Sequence, residues 1–239
     1  MDELTIRTYD RTAEERGASY EQAEVTDHHA LMLCQIPRGA RVLEIGCGSG
    51  RDAAFLHDRG YKVVAADASQ GMVEAALKTH PELAGQVRHA AFPLAADHDL
   101  LSERFDAICS TAMIMHIPDE FLFEFAYQLK GMLAPGGVLL ISASVNRPGL
   151  SDLRDHEGRL FVERPASQLQ LLFERLGFRL VDSRRHGDAM GRDIDWFTLV
   201  LRLSDSAGPG PVDQIETIIN RDKKHATYKL ALLRALCDI

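Results

Sequence analysis

The sequence predicts an α/β protein whose doubly wound, mostly parallel, seven-stranded sheet ends in a reversed strand. The apolar run 41–45 leads into glycines and then into a helical stretch, which is typical of a strand, a turn and a helix. Further apolar runs alternate with helical stretches, as they do in parallel sheets. The last two runs, 178–183 and 195–203, are joined by a link too short for a crossover, so we expect them to pair antiparallel.

The first 40 residues are predicted to be helical. One helix covers TYDRTAEERGASYEQ, and a second begins at Thr26 or Asp27 and ends before Pro37. Asp27 is expected to cap the second helix, with His28 and His29 on its surface. Adjacent helical positions point about 100° apart, so this Asp-His-His sequence does not predict a metal site.

The middle of the chain supplies the remaining elements of the sheet. Ser69 is the expected N-cap of the helix 71–80, and Pro135 with two glycines is expected to turn the chain from a helix into the fifth strand. The other predicted strands cover residues 61–69, 86–92, 105–110 and 138–144, and the other predicted helices cover residues 51–60, 119–133 and 166–177.

Composition limits the classes of function. The chain has 239 residues, 46% of them hydrophobic, which suits one sizeable α/β domain. A net charge of −8 disfavours bulk attraction to nucleic acid or to an anionic membrane. The four cysteines form no C-x-x-C pair, no signal peptide precedes them and no apolar run approaches the about 20 residues of a membrane span. A soluble, cytoplasmic protein is expected.

The composition changes near the C-terminus. Residues 204–212, SDSAGPGPV, are typical of a linker, and residues 213–239 have helical periodicity with apolar side chains on more than one side. We therefore expect a domain at 1–203 and a helical extension at 213–239. The extension is predicted either to mediate self-association or to begin a further domain.

The turn after the first strand indicates a nucleotide-type site. Gly46, Gly48 and Gly50 stand at alternate positions before the helix, where backbone N–H groups can approach a ligand closely. Arg51 occupies the position of the third glycine in the dinucleotide fingerprint G-x-G-x-x-G, which weakens that reading. Asp67 ends the second strand, where a carboxylate can accept hydrogen bonds from both hydroxyls of a ribose.

These residues carry a family resemblance. VLEIGCGSG followed by VVAADAS resembles motif I and the acidic loop of class I S-adenosylmethionine (SAM) dependent methyltransferases, and LAPGGVLLIS resembles a further signature of that family. The resemblance covers roughly residues 5–203. It implies a SAM cofactor and methyl transfer to an oxygen or nitrogen of a small-molecule acceptor. The cofactor-binding residues that it suggests are Glu44, Gly46, Cys47, Gly48, Gly50, Asp67, Ala68, Met72, Phe92 and Thr111.

Two of these assignments compete with other readings. Met72 is either an adenine contact or an ordinary core methionine. Many relatives carry an acidic residue at the end of the third strand, but this chain has Ala91, Phe92 and Pro93 there. Without that acidic residue, the adenine is expected to contact the Phe92 backbone and apolar side chains. Asp97 and Asp99 are the more distant candidates to replace the acidic contact.

The resemblance also suggests residues for the acceptor. His116 follows the fourth strand and is either a general base or a structural residue. Segment 1–40 is expected to form a lid or, alternatively, a surface helix. Long irregular stretches such as 146–165 are often functional. The candidate lid and acceptor residues are Tyr9, Arg16, Tyr20, Met115, Arg147, Arg154, His156, Arg159, His186, Asp188, Arg192 and Asp193.

Two other classes of function stay open. A nucleic-acid or protein methyltransferase could use the C-terminal segment for recognition, although the Asn/Asp-Pro-Pro-aromatic signature of enzymes that methylate nucleic-acid amino groups is missing. A SAM-binding regulatory protein without catalysis would also fit. Methyl transfer to an acceptor separates the regulatory protein from both enzymes.

Overall fold

A central sheet of seven strands organises the computed structural model, which describes residues 1–205. The strands are β1 (Arg41–Ile45), β2 (Lys62–Asp67), β3 (Val87–His89), β4 (Phe105–Thr111), β5 (Leu133–Val145), β6 (Phe178–His186) and β7 (Asp195–Leu203). The helices are α1 (Glu3–Glu21), α2 (Thr26–Gln35), α3 (Arg51–His57), α4 (Gln70–Thr79), α5 (Asp119–Met132) and α6 (Ala166–Arg175).

The pairing of the strands confirms the predicted fold class. The strand order is β3-β2-β1-β4-β5-β7-β6. The first four neighbouring pairs in this order are parallel, whereas β7 pairs antiparallel with both β5 and β6. The link between β6 and β7 is too short for a crossover, so its length forces the reversal.

The sheet is buried on both faces. Successive residues of β5 alternate between two apolar clusters, with Leu139 and Ile141 in one and Val138 and Leu140 in the other. The first cluster includes residues of α5 and α6, and the second includes residues of α2 and α3. This two-sided burial explains why the predicted strands read as nearly continuous apolar runs.

Several element boundaries differ from the prediction, and the differences at β5 and β6 follow from how these strands pair. The residues expected to turn the chain after α5 lie within β5, because Leu133 pairs with Phe105 and the ladder resumes only where Val138 pairs with Ala107. The positive φ of 72° at Gly136 helps the chain bulge out of the ladder and return. β6 also runs three residues further than predicted, to His186, through pairs with β7.

Helix α1 packs against the start of α4. The Oδ1 atom of Asp10 accepts hydrogen bonds from Ser69 Oγ at 2.6 Å and from the Gly71 backbone N–H at 3.0 Å. Ser69 is the N-cap of α4, as predicted, and its side chain accepts from the Met72 backbone N–H. The close approach depends on Gly71, because a Cβ there would lie 2.9 Å from the backbone oxygen of Asp10.

Some expectations lie outside the described residues. These are the linker from residue 206 onward, the helical extension 213–239 and its predicted self-association. Within residues 1–205, none of the helices combines the length and apolar character needed to cross a membrane.

Two glycine substitutions test the packing of α1. Gly71→Ala should lower the free energy of unfolding by about 1 to 3 kcal/mol, because its Cβ meets backbone that cannot rotate away. Gly131→Ala in α5 is the matched control, since a Cβ at Gly131 has no heavy atom within 4 Å among the described residues. We expect it to stabilise the protein by about 0.5 kcal/mol. Urea unfolding measures both, and equal effects of the two substitutions would contradict the tight α1–α4 contact.

Candidate active site

A cavity of about 1020 Å³ lies at the edge of the sheet where β1, β2, β4 and β5 end. Residues that follow these strands line it, among them Gly46, Ala68, Ala112 and Arg147. Residues of α1, of α2 and of the link between β6 and β7 also line it. Ligands of open parallel sheets bind beyond the carboxyl ends of the strands, so this cavity is the candidate active site.

The glycine turn after β1 forms one wall. Gly46 and Gly48 have φ angles of 75° and 56°, a region that favours glycine. A Cβ on Gly46 would lie 2.8 Å from the Met113 side chain, and a Cβ on Gly48 would lie 3.3 Å from the Tyr20 ring. Gly50 does not line the cavity; it allows α3 to pack against Ala76. Glycine at the first two positions is therefore required by the close packing of Met113 and Tyr20, and both glycines line the cavity.

Glu44 lies in β1 beneath this turn. Its side chain is 3% exposed and lines the cavity. Burial raises the pKa of Glu44 well above its usual value, and the nearby carboxylate of Asp52 raises it further. The Oε2 atom has no hydrogen-bond partner among the described residues. An acidic oxygen that is buried without a donor is costly, and a cationic or N–H-bearing ligand would satisfy it.

Asp67 connects the glycine turn to α4. Its Oδ2 accepts from the Gly48 backbone N–H at 2.9 Å, and its Oδ1 accepts from the Ser69 backbone N–H at 2.9 Å. Burial raises the pKa of Asp67, although these two donors act in the opposite direction. Each oxygen has one further lone pair, so the carboxylate can still accept two hydrogen bonds from a ligand.

The histidines of α2 are not surface residues, contrary to the prediction. His29 Nε2 lies 2.9 Å from Asp52 Oδ1, and His28 Nε2 lies 3.1 Å from Thr111 Oγ1. Burial lowers the pKa of His28. The expected cap is also wrong, because Val25 occupies the N-cap position without a side-chain hydrogen bond. Both histidines instead attach α2 to the polar floor of the cavity.

Asp52 forms the centre of that floor. It lines the cavity, is 4% exposed and also accepts from Arg51 Nε at 2.8 Å. Burial acts to raise the pKa of Asp52, but the hydrogen bonds from His29 and Arg51 and the charge of Arg51 outweigh it and lower the pKa. No sequence pattern singles out Asp52, since an acidic residue in the first turn of a helix is common because it stabilises the helix.

His116 is buried and has a partner on each ring nitrogen. Nδ1 lies 2.5 Å from the carbonyl oxygen of Leu160, which can only accept, so Nδ1 carries the proton. Nε2 lies 3.0 Å from the Tyr9 hydroxyl, which therefore donates to it. Burial, together with the nearby positive charges of Arg159 and Arg147, lowers the pKa of His116 to about 4. The ring is neutral at pH 7. Its only proton-accepting atom is Nε2, which is bonded to the Tyr9 hydroxyl.

Two arginines stand beside this pair. Arg159 is 5% exposed and forms an ion pair with Asp155, with Nη2 2.6 Å from Oδ2. The guanidinium of Arg147 lies over the Phe161 ring, with its carbon 4.1 Å from the ring centre. The same ring contacts His116 edge to face, at 4.8 Å between centroids. The guanidinium carbon of Arg159 lies 5.3 Å from the same ring centre, so Arg147, Arg159 and His116 meet around Phe161.

The structure places most of the predicted site residues on the cavity wall. They are Tyr20, Glu44, Gly46, Cys47, Gly48, Asp67, Ala68, Met72, Thr111, Met115, His116, Arg147, Arg159 and His186. Phe92 does not line the cavity: it is fully buried in an apolar cluster, edge to face with Phe125. Asp97 and Asp99 are exposed and lie outside the cavity.

The candidate lid and loop residues also fall into two groups, those that line the cavity and those that do not. Tyr9, Asp188 and Arg192 line the cavity, whereas the others point elsewhere or lie on the surface. Arg16 pairs with Glu157, and Arg154 forms two hydrogen bonds with Asp2. His156 and Asp193 are exposed and do not line the cavity.

Metal ligands are not grouped in the described part of the chain. In residues 1–205, no set of three or more His, Cys, Asp or Glu side chains is placed to hold a metal ion.

Comparison with protein families gives two matches. Residues 18–183 match a family model described as a methyltransferase domain, which covers more than half of the 239 residues. Residues 208–239 match a model described as a domain of unknown function.

Curated relatives match over part of their length. A ubiquinone biosynthesis O-methyltransferase of Dinoroseobacter shibae is 32% identical over 111 residues, 46% of this chain and 44% of the relative. A glycine N-methyltransferase of Mus musculus is 35% identical over 114 residues, 42% of this chain and 39% of the relative. The chain therefore spans less than half the length of these relatives.

Solved structures share the fold. The Burkholderia thailandensis 1,6-didemethyltoxoflavin-N1-methyltransferase, crystallised with 1,6-didemethyltoxoflavin and S-adenosylhomocysteine, superimposes with a TM-score of 0.67 at 20% identity, over 85% of this chain and 88% of its own. An N-methyltransferase of Bradyrhizobium japonicum in complex with S-adenosylhomocysteine has a TM-score of 0.56 at 18% identity, over 82% of this chain and 98% of its own.

The environment of His116 predicts a pH dependence of stability. The unfolded chain binds a proton at this residue near the ordinary pKa of 6.5, whereas the folded chain binds it only near a pKa of about 4. Protonation of His116 therefore costs no stability above about pH 6.5. The free energy of unfolding falls by about 3 kcal/mol as the pH drops to about 4.

His116→Gln removes this titration but can keep a donor for Leu160 and an acceptor for Tyr9. Urea unfolding of both proteins between about pH 7 and 4 gives the difference, because all other titrating groups contribute to both curves. Parallel curves would show that the folded protein does not hold His116 in its neutral form.

Proposed function

The chain belongs to the methyltransferase domain family, and on that premise we propose that it is a class I SAM-dependent methyltransferase acting on an oxygen or nitrogen of a small-molecule acceptor. The observation that carries this proposal is the pair of acidic residues beside the glycine turn. Glu44 and Asp67 end or nearly end two neighbouring parallel strands, and both keep hydrogen-bonding capacity that faces the cavity.

The residues present fit SAM. The free Oε2 of Glu44 suits the ammonium group of the cofactor's amino-acid part, whose charge would stabilise the carboxylate. The remaining lone pairs of Asp67 suit the two ribose hydroxyls. Gly46 and Gly48 line the cavity and have no side chain that would occupy part of it. When bound, SAM supplies a methyl group that its sulfonium makes electrophilic.

The size of the cavity supports a small acceptor. Ligand cavities commonly measure about 300 to 1,000 Å³, and this cavity of about 1020 Å³ is large enough for a cofactor with a small molecule beside it. The net charge of −8 disfavours a polymer of phosphates. We therefore assign the chain a small-molecule acceptor in preference to a nucleic acid.

The work of the protein is to hold the acceptor's lone pair in line with the methyl group and to remove a proton where the acceptor has one. We assign the second task to Tyr9 and His116 together. Tyr9 lines the cavity, and its hydroxyl donates to the neutral Nε2 of His116. A proton from the acceptor can move to the Tyr9 oxygen as the proton of Tyr9 moves to Nε2.

This proton relay, from the acceptor through Tyr9 to His116, differs from direct removal of the proton by His116. Burial raises the pKa of Tyr9, so the phenol stays protonated and acts only by passing a proton onward. An acceptor that presents a neutral amine can attack with its lone pair and does not require the relay before transfer.

Binding of SAM tests the site. Glu44→Gln should weaken the binding of SAM by about 10 to 100-fold, because a charge-assisted hydrogen bond to the ammonium is lost. Glu24→Gln is the matched control, since Glu24 also lines the cavity but is exposed and bonded to Thr26. Calorimetric titration measures both. Unchanged affinity in the Glu44 variant would contradict the assignment, and a parent protein that does not bind SAM would overturn the proposed function.

Turnover tests the relay. Tyr9→Phe should reduce methyl transfer to a hydroxyl acceptor by about a hundredfold while leaving SAM affinity within about threefold. Tyr61→Phe removes a hydroxyl that bonds to the Ile36 carbonyl outside the cavity, and it should leave transfer unchanged.

The assay incubates the full chain with methyl-labelled SAM and the small-molecule fraction of a cell extract. Equal labelling by the Tyr9 and Tyr61 variants would refute the relay. An absence of any labelled product from a protein that binds SAM would favour the regulatory alternative.

A further inference from the structure

Arg147 differs from the other arginines that line the cavity. It follows the end of β5, is half-buried and stacks on Phe161. No carboxylate of residues 1–205 lies within ion-pair distance of its guanidinium, and its only hydrogen bond there is from its backbone N–H to Glu163. The other lining arginines with ion-pair partners are Arg51 with Asp52, Arg159 with Asp155, Arg184 with Asp182 and Arg192 with Asp188.

The surroundings of Arg147 make its charge costly. Burial lowers the pKa of Arg147, and the positive charges of Arg159 and Arg192 lower it further. A guanidinium that is partly removed from water and has no counterion gains strongly from a bound anion. The guanidinium carbon lies 4.1 Å from the centre of the Phe161 ring, so the ring covers one side of the group, and the planar set of N–H donors suits a planar, bidentate partner.

We propose that the methyl acceptor carries a carboxylate, and that Arg147 binds it on the face of Phe161. The inference rests on the proposed function, because it names the substrate class of the same cavity. A single negative charge fits better than a phosphate dianion, since Arg147 is the one half-buried arginine without a carboxylate partner in the described part of the cavity wall. Arg185, which also lacks one there, is exposed.

The position of Arg147 places this carboxylate near the proton relay. Phe161 contacts both Arg147 and His116, and Arg159 lies 3.4 Å from the Tyr9 hydroxyl. The acidic side chains Glu44, Asp52 and Asp67 belong instead to the glycine-turn end of the cavity. An acceptor bound through Arg147 therefore lies beside Tyr9, where its nucleophilic atom can lose a proton.

The test uses benzoate as the probe and benzamide as its uncharged control, each titrated into the full chain saturated with S-adenosylhomocysteine. The two probes have similar size and shape and differ in charge. Benzoate should bind about tenfold or more tightly than benzamide near pH 7. Arg147→Gln should remove this preference, and Arg185→Gln, which makes the same change of charge on an exposed lining residue, should preserve it.

Each outcome decides the inference. Equal binding of the two probes, no binding of benzoate, or a preference that survives in Arg147→Gln would overturn it. A loss of S-adenosylhomocysteine affinity of tenfold or more in Arg147→Gln would also overturn it, because Arg147 would then hold the cofactor's carboxylate. Inorganic phosphate that displaces benzoate at equal concentration would overturn the choice of carboxylate. If the parent protein binds neither SAM nor S-adenosylhomocysteine, that result would instead contradict the proposed function.

Discussion

The Asp67 carboxylate is the constraint on which the rest of the site depends. One of its oxygens accepts from the Gly48 backbone N–H and the other from the Ser69 backbone N–H, so it joins the turn after β1 to the start of α4. Ser69 in turn donates to Asp10 of α1. The glycine turn, the helix and the covering α1 are thus connected through one half-buried acidic group. Its remaining acceptor capacity faces the cavity, so ligand binding acts directly on this connection.

The sequence predicted the features that depend on local chemistry. The strand, glycine turn and helix at residues 41–57 and the cap at Ser69 follow from neighbouring residues, and the structure contains them. Phe92 was expected at the ligand, but β3 ends at His89 and Phe92 enters the core beyond it. The partners of His116 lie 107 and 44 positions away along the chain, so no local pattern could identify them.

Charge along the cavity wall is divided between two ends. The acidic residues Glu44, Asp52 and Asp67 lie around the glycine turn, and the lining arginines other than Arg51 lie around Phe161, at the end of β6 and in the link that follows it. Most of these charges are paired, so the wall presents few free ionic groups to a ligand. Apart from the exposed Arg185, the side chains of this set that leave a charged atom without a partner among the described residues are Glu44, through Oε2, and Arg147, through its guanidinium. The Glu44 oxygen suits a cationic group and the Arg147 guanidinium suits an anionic group. The two ends of the cavity therefore favour ligand groups of opposite charge.

The proposals for Arg147 and His116 depend on each other through electrostatics. Protonating His116 places a third positive charge near Arg147 and Arg159, and these charges help to hold its pKa at about 4. A carboxylate bound at Arg147 would offset part of that positive potential and raise the proton affinity of Nε2. The relay would then become a stronger base only when the acceptor occupies the cavity. Water has no anionic group to produce this change, so an acceptor bound through its carboxylate would be the molecule that the relay deprotonates.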